Sequence, residues 1–388
     1  METFDTVIIG GGPAGSACAL YLRSMDEEVC VIEKSAFPRE TVCGEFLSNE
    51  VSMCLKELGL FDAFLEASPN EIGALRIHSE QGQTVHARLG FPAFAMKRGA
   101  FDRLLLERAR RQGAFVLQPA EVTEIIPKDD RYLVRITDAS GPHACMARRL
   151  VGAYGRHSML DKQLGRRFVS ERSHLNGIKL HVDRALCPAL DTGAIHLFTG
   201  SHLYCGVNAV NSGAVTVCFL EKRQPDDEPP RRQLARLAAG NRAFRESFTD
   251  AFEESCAHAP LYGTGNIFFG RKEPVVDGIF MAGDAADVIA PLAGDGIGIA
   301  MQGGRLVAEV LYAQRRHGLA RRAAEALYRQ RKAELFRKRI RIARIIQTIL
   351  LSPPLCTIGL SAAEAIPGLL PRIVALTRGF ETHDRLRA

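Results

Sequence analysis

The stretch from Thr6 to Glu33 constrains this chain more than any other. Thr6-Val7-Ile8-Ile9 is a short β-branched run suited to a buried parallel strand. The turn Gly10-Gly11-Gly12-Pro13-Ala14-Gly15 follows, Ala17 to Arg23 reads as a helix, and Val29-Cys30-Val31-Ile32 reads as a second strand. That strand ends on Glu33, with Lys34 beside it. In this order of strand, G-x-G-x-x-G, helix, strand and acid, each glycine has a physical task. Gly10 permits the tight turn, Gly12 lets backbone approach a pyrophosphate, and Gly15 lets helix and strand pack closely. The helix N-terminus stabilises phosphate charge. Glu33 lies 23 residues after Gly10, near the ~20 expected of an acid that accepts from a ribose hydroxyl. A dinucleotide-binding parallel sheet follows. The turn alone does not choose between flavin and nicotinamide.

A distant segment makes that choice. Gly278-Ile279-Phe280-Met281-Ala282-Gly283-Asp284 is a short strand ending in Gly-Asp. Next comes Pro291-Leu292-Ala293-Gly294-Asp295-Gly296-Ile297-Gly298, and then a helix from about Ile299 to Ala313. Asp284 at a strand end is placed to accept a hydrogen bond from a ribityl hydroxyl. The glycine-rich turn offers backbone N–H groups and a positive dipole end to the anionic pyrimidine edge of a flavin. Together the two motifs point to FAD.

With these residues in view, the chain resembles the flavoprotein superfamily of aromatic hydroxylases and geranylgeranyl reductases. Four stretches carry the likeness: VIIGGGPAGSACALYL, RETVCGEFLS from Arg39 to Ser48, KRGAFDRLLLERARRQGA around Arg98, and MAGDAADVIAPLAGDGIGIAMQGG. They span roughly the first 315 residues. The resemblance implies an FAD contact at Arg98 and cofactor-lining roles for Arg39, Cys43 and Gly44. Cys43-Gly44-Glu45 is similar to the Cys-Gly-Gly run of the reductases, where the cysteine sits near the flavin. A thiol there is a candidate proton donor or substrate holder, and Glu45, if desolvated, is a second candidate acid. NADPH or NADH is the implied electron donor. Tyr154, however, stands where the hydroxylases carry the Asp of an Asp-Gly motif. The chain contains no Trp, so the W-x-W-x-I-P stretch of tryptophan halogenases is absent and halogenation ranks low.

Beyond these motifs, residues 166 to 271 alternate with period two. Ile178–Val182, Ala194–Phe198, Tyr204–Asn208 and Val215–Phe219 are expected antiparallel strands, with Asn211-Ser212-Gly213 as a hairpin turn. Such a sheet laid over the flavin makes a substrate wall, on which His181, His196, Tyr204 and Asn208 are the candidate polar contacts. The expected fold is α/β: a Rossmann-like FAD-binding domain with an inserted antiparallel substrate sheet and a C-terminal helical region. The FAD-binding domain is assembled from residues 1–75, 90–165 and 270–315, and the substrate domain from 76–89 and 166–269. Residues 316–388 form the helical tail.

Composition supplies the remaining limits. Apolar residues are 46% and charged residues 24% of the 388, ordinary for a folded chain with a large core. The ten cysteines show no C-x-x-C pair and no zinc spacing with His, so no metal is expected. The acidic start lacks the basic n-region of a signal peptide, which favours the cytoplasm. The net charge of +6 is too small to argue for nucleic acid. Its placement says more: residues 315 to 345 hold twelve Lys and Arg against Glu325 and Glu334, a local +10, which leaves −4 for the rest. That basic helix suits contact with an acyl-carrier protein or a membrane surface. The favoured function is an FAD-dependent monooxygenase acting on a lipophilic or aromatic, polyketide-like small molecule. A flavin-dependent C=C reductase and a non-redox flavoprotein, such as a cyclase or binding protein, are the alternatives.

Overall fold

The computed structural model describes residues 1–223, 229–269, 272–291 and 294–379. The mixed α/β architecture is built on two eight-stranded sheets. In the first, Thr3–Ile9 lies between Val29–Ile32 and Gly141–Gly152, parallel to both, with Ile9 opposite Ile32 and Gly152. Phe115–Leu117 extends one side in parallel and Ile279–Met281 the other. The four residues of Val29–Ile32 are all buried, as a parallel strand covered on both faces requires.

One face of this sheet packs against three helices, Pro13–Arg23, Arg98–Arg111 and Gly296–His317. The approach of the first and third is close because both supply small residues. A Cβ on Gly304 would sit 2.2 Å from the carbonyl oxygen of Ala14, so the MQGG end of the second motif is a helix-packing requirement as well as a turn. The opposite face meets a layer formed by the antiparallel strands Ala120–Lys128 and Arg131–Asp138.

The second sheet runs in the order Tyr262–Thr264, Leu175–Asp183, Ala214–Lys222, Leu203–Ala209, Ala194–Gly200, Asn70–His78, Thr84–Ala95, Phe46–Leu47. The expected hairpin is present. Ser212 and Gly213 both have positive φ, 66° each, and Val210 N–H donates to Ala214 O at 2.9 Å. Not every neighbour is antiparallel, because Ala194–Gly200 runs parallel to Asn70–His78. The strand pair Asn70–Ala95 belongs to this sheet as a whole, so the sheet reaches beyond the expected 76–89 segment into both flanks. Its far face is covered by Pro230–Gly240, Arg242–Ser247 and Ala251–His258. Asn241 separates the first two of these helices by accepting from Phe244 N–H at 3.0 Å. Of the charged, proline-broken stretch 226–232 that leads into them, residues 226–228 lie outside the described residues.

The tail is a 30-residue helix, Arg321–Leu350, followed by Pro353–Ala365 and Leu369–Leu376. Ser352-Pro353 stops the first, since Pro cannot continue a helix but fits the first turn of the next. Much of the basic charge is spent internally. Lys332 pairs with Asp287, Arg339 with Asp295, and Arg315 with Glu27 at 2.9 Å. Arg337, Lys338 and Arg341 remain exposed, with exposed Ile345 one turn beyond Arg341 and exposed Leu355, Ile358, Ile366 and Leu376 farther along the tail. Among the described residues, no single helix is long and apolar enough to cross a membrane.

Candidate active site

The two sheets enclose a cavity of about 800 Å³ lined from both sides. Its cradle end is the N-terminal turn. Gly10 has φ +106°, and a Cβ there would lie 2.4 Å from Ala153 O; at Gly15 it would lie 1.9 Å from Gly10 O. Gly15 is thus a packing residue and does not line the cavity, whereas Gly10, Gly12, Pro13 and Ala14 do. At Gly12 the space is open, with Arg39 Nη2 the nearest atom at 3.6 Å. Glu33 lines the same end and accepts from Gly11 N–H at 2.7 Å and Ser35 N–H at 2.9 Å. Lys34, Arg39, Cys43, Gly44 and Glu45 complete that side.

The second motif adds Gly283, Asp284, Pro291, Gly294, Gly296 and Ile297 to the lining, with Gly283 packed against Ala14 of the turn. Leu292 and Ala293 lie outside the described residues. Asp295 occupies the N-cap position of the Gly296–His317 helix without a side-chain capping bond and is fully buried. Burial pushes its carboxyl up to about 6, against the pull of Arg339, and Ser48 Oγ donates to it at 3.1 Å. Lys272 sits behind Asp284, donating to the carbonyls of Asp284 and Arg156 at 2.8 and 3.0 Å. Burial draws that ammonium down to about 8.

A dinucleotide fits these residues. Arg39 Nε is buried without a hydrogen-bond partner, and the nearest Glu33 carboxylate oxygen is 3.7 Å away, so a cationic donor remains available beside the open Gly12 backbone. Arg98 lines the cavity with its guanidinium clamped on Asp102 by two 2.9 Å bonds. Tyr154 fills the place of the expected Asp: its hydroxyl donates to Asp161 at 2.8 Å and accepts from Arg166 at 3.2 Å.

The candidate acid behaves differently from the sequence expectation. Glu45, at positive φ of 60°, is fully buried. Its Oε1 accepts from Lys179 Nζ at 2.6 Å and Arg98 N–H at 2.8 Å. Its Oε2 accepts from His181 Nε2 at 2.7 Å and Thr216 Oγ1 at 2.5 Å. Burial alone would raise the carboxyl, but His181 and Lys179 outweigh it and hold Glu45 at about 2. A carboxylate so held has no proton to give. Glu40, Glu45 and His181 bring potential metal-ligand atoms within 4.8 Å of one another, yet Lys179 bridges both glutamates at 2.6 Å and already supplies the cation.

Of the four candidate wall residues, Tyr204 and Asn208 line the cavity. His181 is committed to Glu45. His196 points through the other face: its Nδ1 lies 3.1 Å from His78 Nε2 and its Nε2 3.2 Å from Asp191 O. Alternation explains this, because Ile195 and Leu197 take the cavity side of that strand. Lys179 and the pairs Lys332–Asp287 and Arg339–Asp295 were missed from sequence. For Lys179 a signal existed: in Ile178-Lys179-Leu180-His181-Val182 it shares a strand face with His181.

The comparisons with known proteins agree with this geometry. The chain is 26% identical over 341 residues to the 1H-pyrrole-2-carbonyl-[peptidyl-carrier protein] chlorinase of Pseudomonas fluorescens, covering 78% of this chain and 74% of that one. It is 28% identical over 325 residues to the menaquinone reductase of Mycobacterium tuberculosis, covering 80% and 77%. Its fold matches the geranylgeranyl bacteriochlorophyll reductase-like protein of Thermoplasma acidophilum at TM-score 0.76 and 17% identity, over 98% and 97% of the chains. Lack of tryptophan therefore removes the W-x-W-x-I-P stretch but not similarity to a halogenase. The family described as FAD binding domain matches residues 3–339, and the chain belongs to this family of FAD-dependent oxidoreductases.

Proposed function

We propose that this oxidoreductase is a monooxygenase that hydroxylates an apolar, aromatic or polyketide-like small molecule. Flavin bound in the cradle supplies a two-electron carrier that dioxygen or a substrate double bond can reoxidise. In the hydroxylation, one atom of O₂ enters a C–H bond and the other leaves as water, with two electrons drawn from an external reductant and two protons from solvent. The observation that carries this reading is the held carboxylate of Glu45. Reduction of an isolated C=C bond needs a proton delivered to carbon, and Glu45, the acid of the Cys-Gly-Glu run, is held as a carboxylate by four donors. The substrate wall contributes Ile195, Leu197, Tyr204, Asn208 and Leu220, which suit holding an apolar ring and excluding water. Cys43 supports the second reading, a C=C reductase, because its thiol borders the cavity.

Turnover of the FAD-loaded protein with candidate phenols and with isoprenoid alkenes, under ¹⁸O₂ and again anaerobically, supplied with NADPH or NADH in parallel, tests both. Label in the product supports hydroxylation. Unlabelled, reduced product formed anaerobically, and lost on Cys43→Ala, replaces it with the reductase. A protein that never takes up FAD to become yellow sinks both readings. The exposed Arg337, Lys338 and Arg341, with exposed Ile345 one turn beyond, suit an anionic membrane surface, a source for a lipophilic substrate. That would place the protein at a membrane periphery.

A further inference from the structure

The strand Leu203–Ala209 alternates strictly between two environments. Cys205 and Val207 join the core under the three covering helices, while Tyr204, Gly206 and Asn208 face the cavity. Asn208 is fully buried, and neither its Oδ1 nor its Nδ2 has a hydrogen-bond partner. Buried amides in folded proteins are nearly always satisfied, because desolvating one without a partner is costly. Its polar neighbours explain why this one is not. Thr216 lies directly opposite on the adjoining strand, but its hydroxyl proton goes to Glu45 and it makes no bond to Asn208. Glu45 in turn is saturated by four donors. Asn208 is left with only the cavity to face, in a wall shared with Tyr204, Cys218 and the aliphatic Ile195, Leu197 and Leu220.

We infer that Asn208 is the polar anchor that fixes the substrate's orientation and selects an apolar molecule carrying a hydroxyl group. An amide presents an acceptor and a donor side by side. A hydroxyl can donate to Oδ1, or accept from Nδ2, while the apolar remainder lies against the isoleucine and leucine side chains. This inference rests on the proposed hydroxylase reading. Of the two wall candidates that line the cavity, Tyr204 and Asn208, it assigns the specificity to Asn208.

Binding measured without reductant tests the anchor separately from the chemistry. FAD-loaded protein is titrated with 4-propylphenol and with propylbenzene, followed by calorimetry and by the flavin absorbance. The wild type should bind the phenol roughly tenfold or more tighter than the hydrocarbon, as expected when an orphaned buried amide gains a partner. Asn208→Leu should bring the ratio to about one by weakening the phenol alone. If the leucine variant loses flavin, Asn208→Val, β-branched like its strand neighbours, gives the same readout. A wild-type ratio near one, an unchanged ratio in the variant, or no binding of either compound overturns the anchor. Unlabelled product in the oxygen experiment would instead remove the hydroxylase reading and leave the binding result standing.

Discussion

Glu45 combines features that rarely coexist: it is wholly buried, ionised, and bonded to an ammonium, an imidazole, a hydroxyl and a backbone N–H. The sign of its pH dependence follows. Its folded-state value of about 2 lies below the ordinary 4.5, so its stabilisation is full above 4.5 and is lost as pH falls towards 2. A shift of that size corresponds to about 3 kcal/mol. Glu45→Gln should therefore be less stable than wild type at pH 7, with the gap closing near pH 2 to 3, as read by denaturant unfolding across pH. Gly15 yields a second prediction at this scale. A methyl group there meets Gly10 O at 1.9 Å, a backbone atom that cannot step aside, so Gly15→Ala should cost about 3 kcal/mol or more and yield colourless protein. Flavin absorbance after purification checks it.

Among elements, the Arg321–Leu350 helix works as a brace. It places Lys332 on Asp287 and Arg339 on Asp295, at the two ends of the loop that leads into the Gly296–His317 helix. Arg339→Met leaves the buried Asp295 carboxyl with only Arg378, at 3.8 Å, as its cation, which should destabilise by about 3 kcal/mol. Adding Asp295→Asn should recover part of that loss, because the under-compensated charge outweighs the missing contact. Thermal melting of both single variants and the double variant measures the coupling. The basic run located this helix in the sequence. It could not tell which of the ten basic residues on it turn inward, since the partners are 44 and 45 residues away along the chain.

For the whole molecule, the basic tail divides into an internal part, which locks the flavin loop, and an external part with exposed Ile345 one turn beyond. The triple variant Arg337→Glu, Lys338→Glu, Arg341→Glu should keep its melting temperature. It should bind vesicles containing anionic lipid about a hundredfold more weakly, at about 1 kcal/mol per basic residue near the surface. Vesicle sedimentation at low and high salt measures this. Equal sedimentation of variant and wild type would remove the membrane reading.

The cradle was legible in the sequence because its chemistry is local. Gly10 to Glu33 and Gly283 to Ile297 each form within one strand-turn-helix unit, where spacing dictates which backbone N–H groups and acids converge. The alternating strands were legible for the same reason, which is why Tyr204 and Asn208 were found. What faces what across 100 residues was not. Period two does not say which face of a strand meets the cavity, so His196 could not be told from Asn208. Nor could the ionisation of Glu45 be read from Cys43-Gly44-Glu45, because burial and its donors act in opposite directions. Only the second sheet, bringing Lys179, His181 and Thr216 onto one carboxylate, decided that balance.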